Sequence, residues 1–118
     1  MKGNLSKGKT AEKKAVVHLE KNNYRIIHTN WRCRLGEADI IAFQGSVLCF
    51  IEVKYRSSDI YGTPGEAVDF RKQKKIIDIA RAYISGRNIT GKDVRFDVVE
   101  VTDSRVNIIK NAFTADIQ

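Results

Sequence analysis

Two apolar runs with a turn signal between them constrain this chain most. Residues 37–43 and 47–53 are rich in β-branched and aromatic side chains, and Gln44-Gly45 stands between them. Runs of this kind form adjacent antiparallel strands joined by a tight turn. Alternate side chains on a strand share a face. Glu37, Asp39, Ile41 and Phe43 therefore lie together on one strand, and Leu48, Phe50, Glu52 and Lys54 on the next. Pairing Phe43 with Ser46 would put Asp39 opposite Phe50 and diagonal to Glu52. A four-residue loop would set Asp39 directly opposite Glu52. Either register gathers Asp39, Glu52 and Lys54 among Ile41, Leu48 and Phe50. An odd loop would separate them unless a bulge restored the phase.

Two neighbouring carboxylates repel and resist ionisation unless a cation sits between them. Oxygen donors of this kind suit Mg2+ or Mn2+. Lys54 would point into the same space, where an amine can orient or stabilise an attacking hydroxide. That combination serves metal-assisted hydrolysis of a phosphodiester. The plainer alternative is an ordinary Glu–Lys pair on the wet face of a sheet. The apolar neighbours count against it.

Polar residues on both predicted helices add to the pattern. Over residues 8–22, Ala15, Val16 and Leu19 recur at helical spacing, with Ser6 or Thr10 as a start signal and Asn22-Asn23 as a stop. Glu12 projects from the middle of that apolar stripe, where a lone acid is costly without a cation or donors. A second helix is predicted over residues 66–85, with Phe70, Ile77, Ala80 and Ile84 as its stripe and Gly86 as its closing residue. Gln73 repeats the anomaly there, either as a site residue or as an amide bonded to backbone. Strands over residues 24–31, 94–101 and 105–113 complete an α-β-β-β-α-β-β order. The prediction is an α/β domain with a mixed central sheet flanked by helices. Tyr24, Trp31, His18 and His28 read as packing residues.

At 118 residues, with 42% apolar and 30% charged side chains, the chain has the size and composition of one globular domain. No apolar run approaches the ~20 residues that a membrane span requires. The basic start lacks a signal-type apolar stretch, so a cytoplasmic address with no membrane partner is expected. Cys33 and Cys49 read as reduced, partly buried thiols. The net charge of +7 is localised: residues 1–34 hold nine Lys or Arg against Glu12 and Glu20, while the rest balances. A second basic cluster is Arg71-Lys72-Gln73-Lys74-Lys75. A concentrated basic face favours a polyanion, most simply nucleic acid. Arg32, Arg34, Arg56, Lys72 and Lys75 are the candidate phosphate contacts.

Several stretches carry a family resemblance. They are Glu12-x-x-Ala15, Asn30-Trp31-Arg32, Gly36-Glu37-Ala38-Asp39-Ile40-Ile41, Phe50-Ile51-Glu52-Val53-Lys54-x-Arg56, Tyr61-Gly62-x-Pro64, Lys72-Gln73 and Arg95-Phe96-Asp97-Val98. Together they resemble the YraN-like family of small bacterial proteins. That family is in turn similar to archaeal Holliday-junction resolvases and other PD-(D/E)XK nucleases. The likeness covers about residues 5 to 101, and its departures (Asn23, Ala38, Tyr61) fall outside the proposed chemistry. It implies a restriction-endonuclease-like αβββαβ core. It also implies that Asp39, Glu52 and Glu12 hold metal, that Lys54 is the catalytic lysine, and that Gln73 matches the helix glutamine of resolvase-like branches. The expected activity is divalent-metal-dependent endonucleolytic cleavage of DNA rather than RNA, in junction or flap form, with a homodimer suited to a symmetric junction. The alternative is a nucleic-acid-binding module or scaffold that keeps the fold without cutting.

Overall fold

The computed structural model describes residues 7–57 and 68–115. Its elements are α1 (Lys7–Lys21), β1 (Tyr24–Cys33), β2 (Gly36–Gln44), β3 (Val47–Tyr55), α2 (Phe70–Gly86), β4 (Val94–Val101) and β5 (Val106–Phe113). The five strands form one sheet in the order β1-β2-β3-β4-β5. The pairs β1/β2, β2/β3 and β4/β5 are antiparallel, whereas β3 and β4 run parallel and are connected through α2. A parallel neighbour requires such a crossover, which explains why the one long connection carries a helix.

Each helix covers one face of the sheet. Ala11, Ala15 and Leu19 of α1 pack with Tyr24, Ile40, Ala42, Cys49, Ile51, Val99 and Val101. Two alanines one turn apart let this helix lie close against the strands. On the opposite face, Ile76, Ile79, Ala80 and Tyr83 of α2 meet Ile41, Leu48, Phe50, Phe96, Val98 and Phe113. Burial on both faces accounts for the unbroken apolar run Leu48 to Ile51 in β3. Tyr83 is a hub, edge-on to Trp31 at 5.1 Å, His28 at 5.5 Å and Phe50 at 5.8 Å. Packing roles for Tyr24, Trp31 and His28 agree with the sequence reading.

The second helix departs from its predicted stripe. Its buried face is Ile76, Ile79, Ala80 and Tyr83, while Ile77 and Ile84 are half-buried and Phe70 is 80% exposed. Aliphatic spacing alone fits either face, and the bulky Tyr83 decides which one turns inward. Asp69 caps the start of α2, its Oδ1 accepting the Lys72 N–H at 2.9 Å. Gly86 stays inside the helix, and the left-handed residue beyond its end is Asn88, with φ 54°. Thr10 lies within α1 rather than at its start. Ser6, and the turn-rich stretch with Tyr61, Gly62 and Pro64, lie outside the described residues.

A polar network is built into the α1 side of the sheet. Asp97 is fully buried and accepts from the Tyr24 hydroxyl (2.8 Å), from Arg95 Nε and Nη2 (2.9 Å each) and from the Asn111 N–H (2.8 Å). Arg95 Nη2 also donates to Gln44 Oε1 at 2.7 Å. Burial and the Asp97 charge push the Tyr24 phenol above its usual range, and burial first, then Asp97, lifts the Cys49 thiol to about 11. Every member has partners, so Arg95-Phe96-Asp97 holds the fold together. Asn111, with φ 55°, marks the bulge through which β5 reaches Asp97.

Candidate functional site

The β2–β3 register decides between the alternatives left open by the sequence. Gln44 pairs with Val47 around a two-residue turn, Gly45-Ser46, and the ladder continues through Phe43↔Leu48 and Ile41↔Phe50 to Ile40↔Ile51. One further step sets Asp39 across from Glu52. This is the direct-opposition register, reached with a tighter loop than four residues. At that step the strands part. The Val53 N–H donates to Asp39 Oδ2 at 2.9 Å, so a side chain takes a bond that would otherwise extend the ladder.

The neighbouring strand leaves extended geometry at the same level, at Asn30. Pairing between β1 and β2 passes from Thr29↔Ile40 to Trp31↔Ala38, leaving Asn30 and Asp39 between the pairs. Asn30 adopts φ 52°, a left-handed conformation that asparagine tolerates better than most residues. Its Nδ2 donates to both Glu12 carboxylate oxygens, at 3.1 and 3.3 Å. Lys9 Nζ reaches Asn30 Oδ1 at 3.2 Å. Glu12 thus lines a groove of about 480 Å3 between α1 and β1, with Lys9 and Asn30 as polar neighbours. The sequence reading missed the role of Asn30. An asparagine inside a run of strand formers was the available signal.

The acids act on one another. Burial is the largest influence on Asp39, followed by the Glu52 charge and, more weakly, the Glu12 charge. Against the opposing Val53 N–H bond, they push its carboxyl up to about 7. Among the described residues, no three His, Cys, Asp or Glu side chains are close enough to enclose an ion. The arrangement is therefore a facing pair, Asp39 and Glu52, with Glu12 acting on it from α1. Its hard oxygen donors are of the kind that suits a small divalent cation such as Mg2+ or Mn2+.

Helix α2 brings cations to this pair. Lys72 Nζ lies 3.1 Å from Glu52 Oε2, and the Glu52 charge raises the lysine's pKa above its ordinary value. Gln73 is half-buried and donates its Nε2 to the Val68 carbonyl at 3.0 Å, so the amide is bonded to backbone. Lys54 is exposed, two residues beyond Glu52 on β3. Arg56 follows it, with Nε donating to Glu100 Oε2 at 3.1 Å. Glu100 is fully buried, and its Oε1 is a buried acceptor without a partner among the described residues, a feature no sequence pattern signalled. Arg32 is exposed, 3.6 Å from Glu37, and Arg34 is exposed in the β1–β2 turn. Lys75 lies over that turn, close enough that a Cβ at Gly36 would meet its Cε at 3.2 Å. Lys72 and Lys75 thus stand on the α2 face of the sheet, whereas Arg32 alternates with Trp31 and Cys33, which pack on that face, and so lies on the other.

The raised Asp39 pKa has a consequence for stability. Between about pH 4 and 7 the folded protein keeps a proton that the unfolded chain has released. This contribution is fully present below the unfolded-state pKa and is lost as pH rises through 7. Asp39→Asn removes the titration. In chelator, its unfolding free energy should gain on that of the wild type by as much as about 3 kcal/mol between pH 5 and pH 8, measured by urea unfolding. Parallel pH profiles would contradict the assignment.

A mixed five-stranded sheet between two helices is an α/β fold of the resolvase-like kind. The fold resembles the crystal structure of Hjc, a Holliday junction resolvase from Archaeoglobus fulgidus. The TM-score is 0.57 at 20% identity, over 95% of this chain and 80% of that one. The chain belongs to the uncharacterised protein family UPF0102, whose model matches residues 11–101. A UPF0102 protein of Persephonella marina is 44% identical, over 93% of this chain and 95% of its own length. One from Acetivibrio thermocellus is 46% identical, over 90% and 89%. No helix among the described residues is long and apolar enough to cross a membrane.

Proposed function

We propose that this protein is a cytoplasmic, divalent-cation-dependent endonuclease acting on DNA, with branched forms as its substrates. The observation that carries the reading is that Asp39 and Glu52 come directly after the last paired residues of β2 and β3, Ile40↔Ile51, with Lys54 next on the Glu52 face of β3 and Lys72 at 3.1 Å from Glu52. Asp39 and Glu52 would hold the cation with Glu12 in support. The cation supplies Lewis-acid polarisation and offsets charge developing on the phosphate. Lys54 places an ammonium where it can orient the attacking water and accompany the charge on the phosphate. Arg32, Arg34, Arg56 and Lys75 hold flanking phosphates, and Gln73 keeps the start of α2 in place through Val68. Lys72 neutralises Glu52 before a cation arrives and is then free to meet phosphate.

Incubation of the purified protein with four-way, flapped and linear duplex DNA, in Mg2+ or Mn2+, tests the reading. Cleavage by the wild type and not by Asp39→Asn is expected. Equal cleavage by both would point to contamination and end the assignment. The Lys72–Glu52 pair favours a second reading, a non-catalytic DNA-binding module whose acids are neutralised internally. It predicts salt-dependent binding, with or without metal, and no cleavage.

A further inference from the structure

Phe70 opens α2 with 80% of its surface in solvent, well above Val17 at 52% and Leu35 at 45%. A large aromatic ring left so bare forgoes the free energy that burial would give it. Its surroundings on the helix are strongly cationic: Arg71, Lys72, Lys74 and Lys75 follow it directly, and all four are exposed. The same turn touches the candidate site, because Lys72 Nζ is 3.1 Å from Glu52 Oε2. A flat apolar face and a cluster of positive charge are thus presented together beside the facing acids.

We propose that Phe70 stacks on an unpaired base of the nucleic acid whose phosphates the neighbouring cations hold. This rests on the nucleic-acid reading above but not on cleavage. A polyanion carrying flat rings satisfies both the charge and the ring. A second copy of this chain, which carries +7, would bring like charge to the patch. Every base offers a π face, so stacking selects for an unpaired or unstacked position rather than for a sequence. In a continuous duplex the bases are already stacked and the ring has no partner. The preferred ligand is therefore DNA with a single-stranded tail or an opened step beside the cations of α2.

The test compares binding of a forked DNA and a blunt duplex of equal length by wild type, Phe70→Ala and Phe70→Trp, in chelator so that nothing is cut. Phe70→Ala should lower the fork-over-duplex preference about tenfold, and Phe70→Trp should retain it. Melting temperatures should stay within about 2 °C of the wild type, as expected at an exposed position. An unchanged preference in Phe70→Ala overturns the stacking role and leaves the nucleic-acid reading standing. Conversion of a sedimenting dimer to monomer by Phe70→Ala would also overturn it, making a second copy the partner. Failure of the wild type to bind either DNA overturns both readings.

Discussion

Lys54→Met is expected to slow cleavage of the best DNA substrate by about 10^3-fold while leaving DNA affinity within a few-fold of the wild type. The side chain is exposed and forms no ion pair among the described residues, so its loss should not disturb the fold. Methionine keeps the length and apolar stem and removes the ammonium. The effect should fall on the rate at saturating DNA, because the amine serves the reacting phosphate more than the resting complex. Single-turnover cleavage of a labelled flap checks it. A loss confined to affinity would reduce Lys54 to one more phosphate contact.

Asp97→Ala carries the largest expected effect on stability. The substitution strands the Arg95 guanidinium, the Tyr24 hydroxyl and the Asn111 N–H, all of which now donate to one buried carboxylate. Removing one partner of a buried charged pair costs about 3–5 kcal/mol, mostly through the unpaired charge left behind. Urea unfolding should show that loss. A change below about 1 kcal/mol would mean that water or other groups satisfy Arg95 and that the network is dispensable.

Much of this organisation was legible in the sequence because it follows from short-range rules. The runs around Gln44-Gly45 fixed a hairpin. The period of two placed Asp39, Glu52 and Lys54 on common faces for any even loop, and both even-loop registers brought the first two near each other. Other features depend on contacts that periodicity does not encode. Two faces of α2 were equally aliphatic, so the outward turn of Phe70 came from how Tyr83 packs against Trp31, His28 and Phe50. Asn30 links Glu12 to the level of Asp39 through a left-handed backbone that periodicity does not reveal. The pairing of Lys72 with Glu52 and of Arg56 with Glu100 required the crossover to set α2 and β4 beside β3. Basic composition suggested a phosphate surface, but not which cations also answer buried acids.

The central claim is that Asp39 and Glu52 together bind one divalent cation. Calorimetric titration with Mn2+ at pH 8, where Asp39 has lost its proton, tests this most directly. The wild type should show a saturable event, weakened at least about tenfold by Asp39→Asn and by Glu52→Gln alike. Equal binding by all three proteins, or none by the wild type, would contradict it.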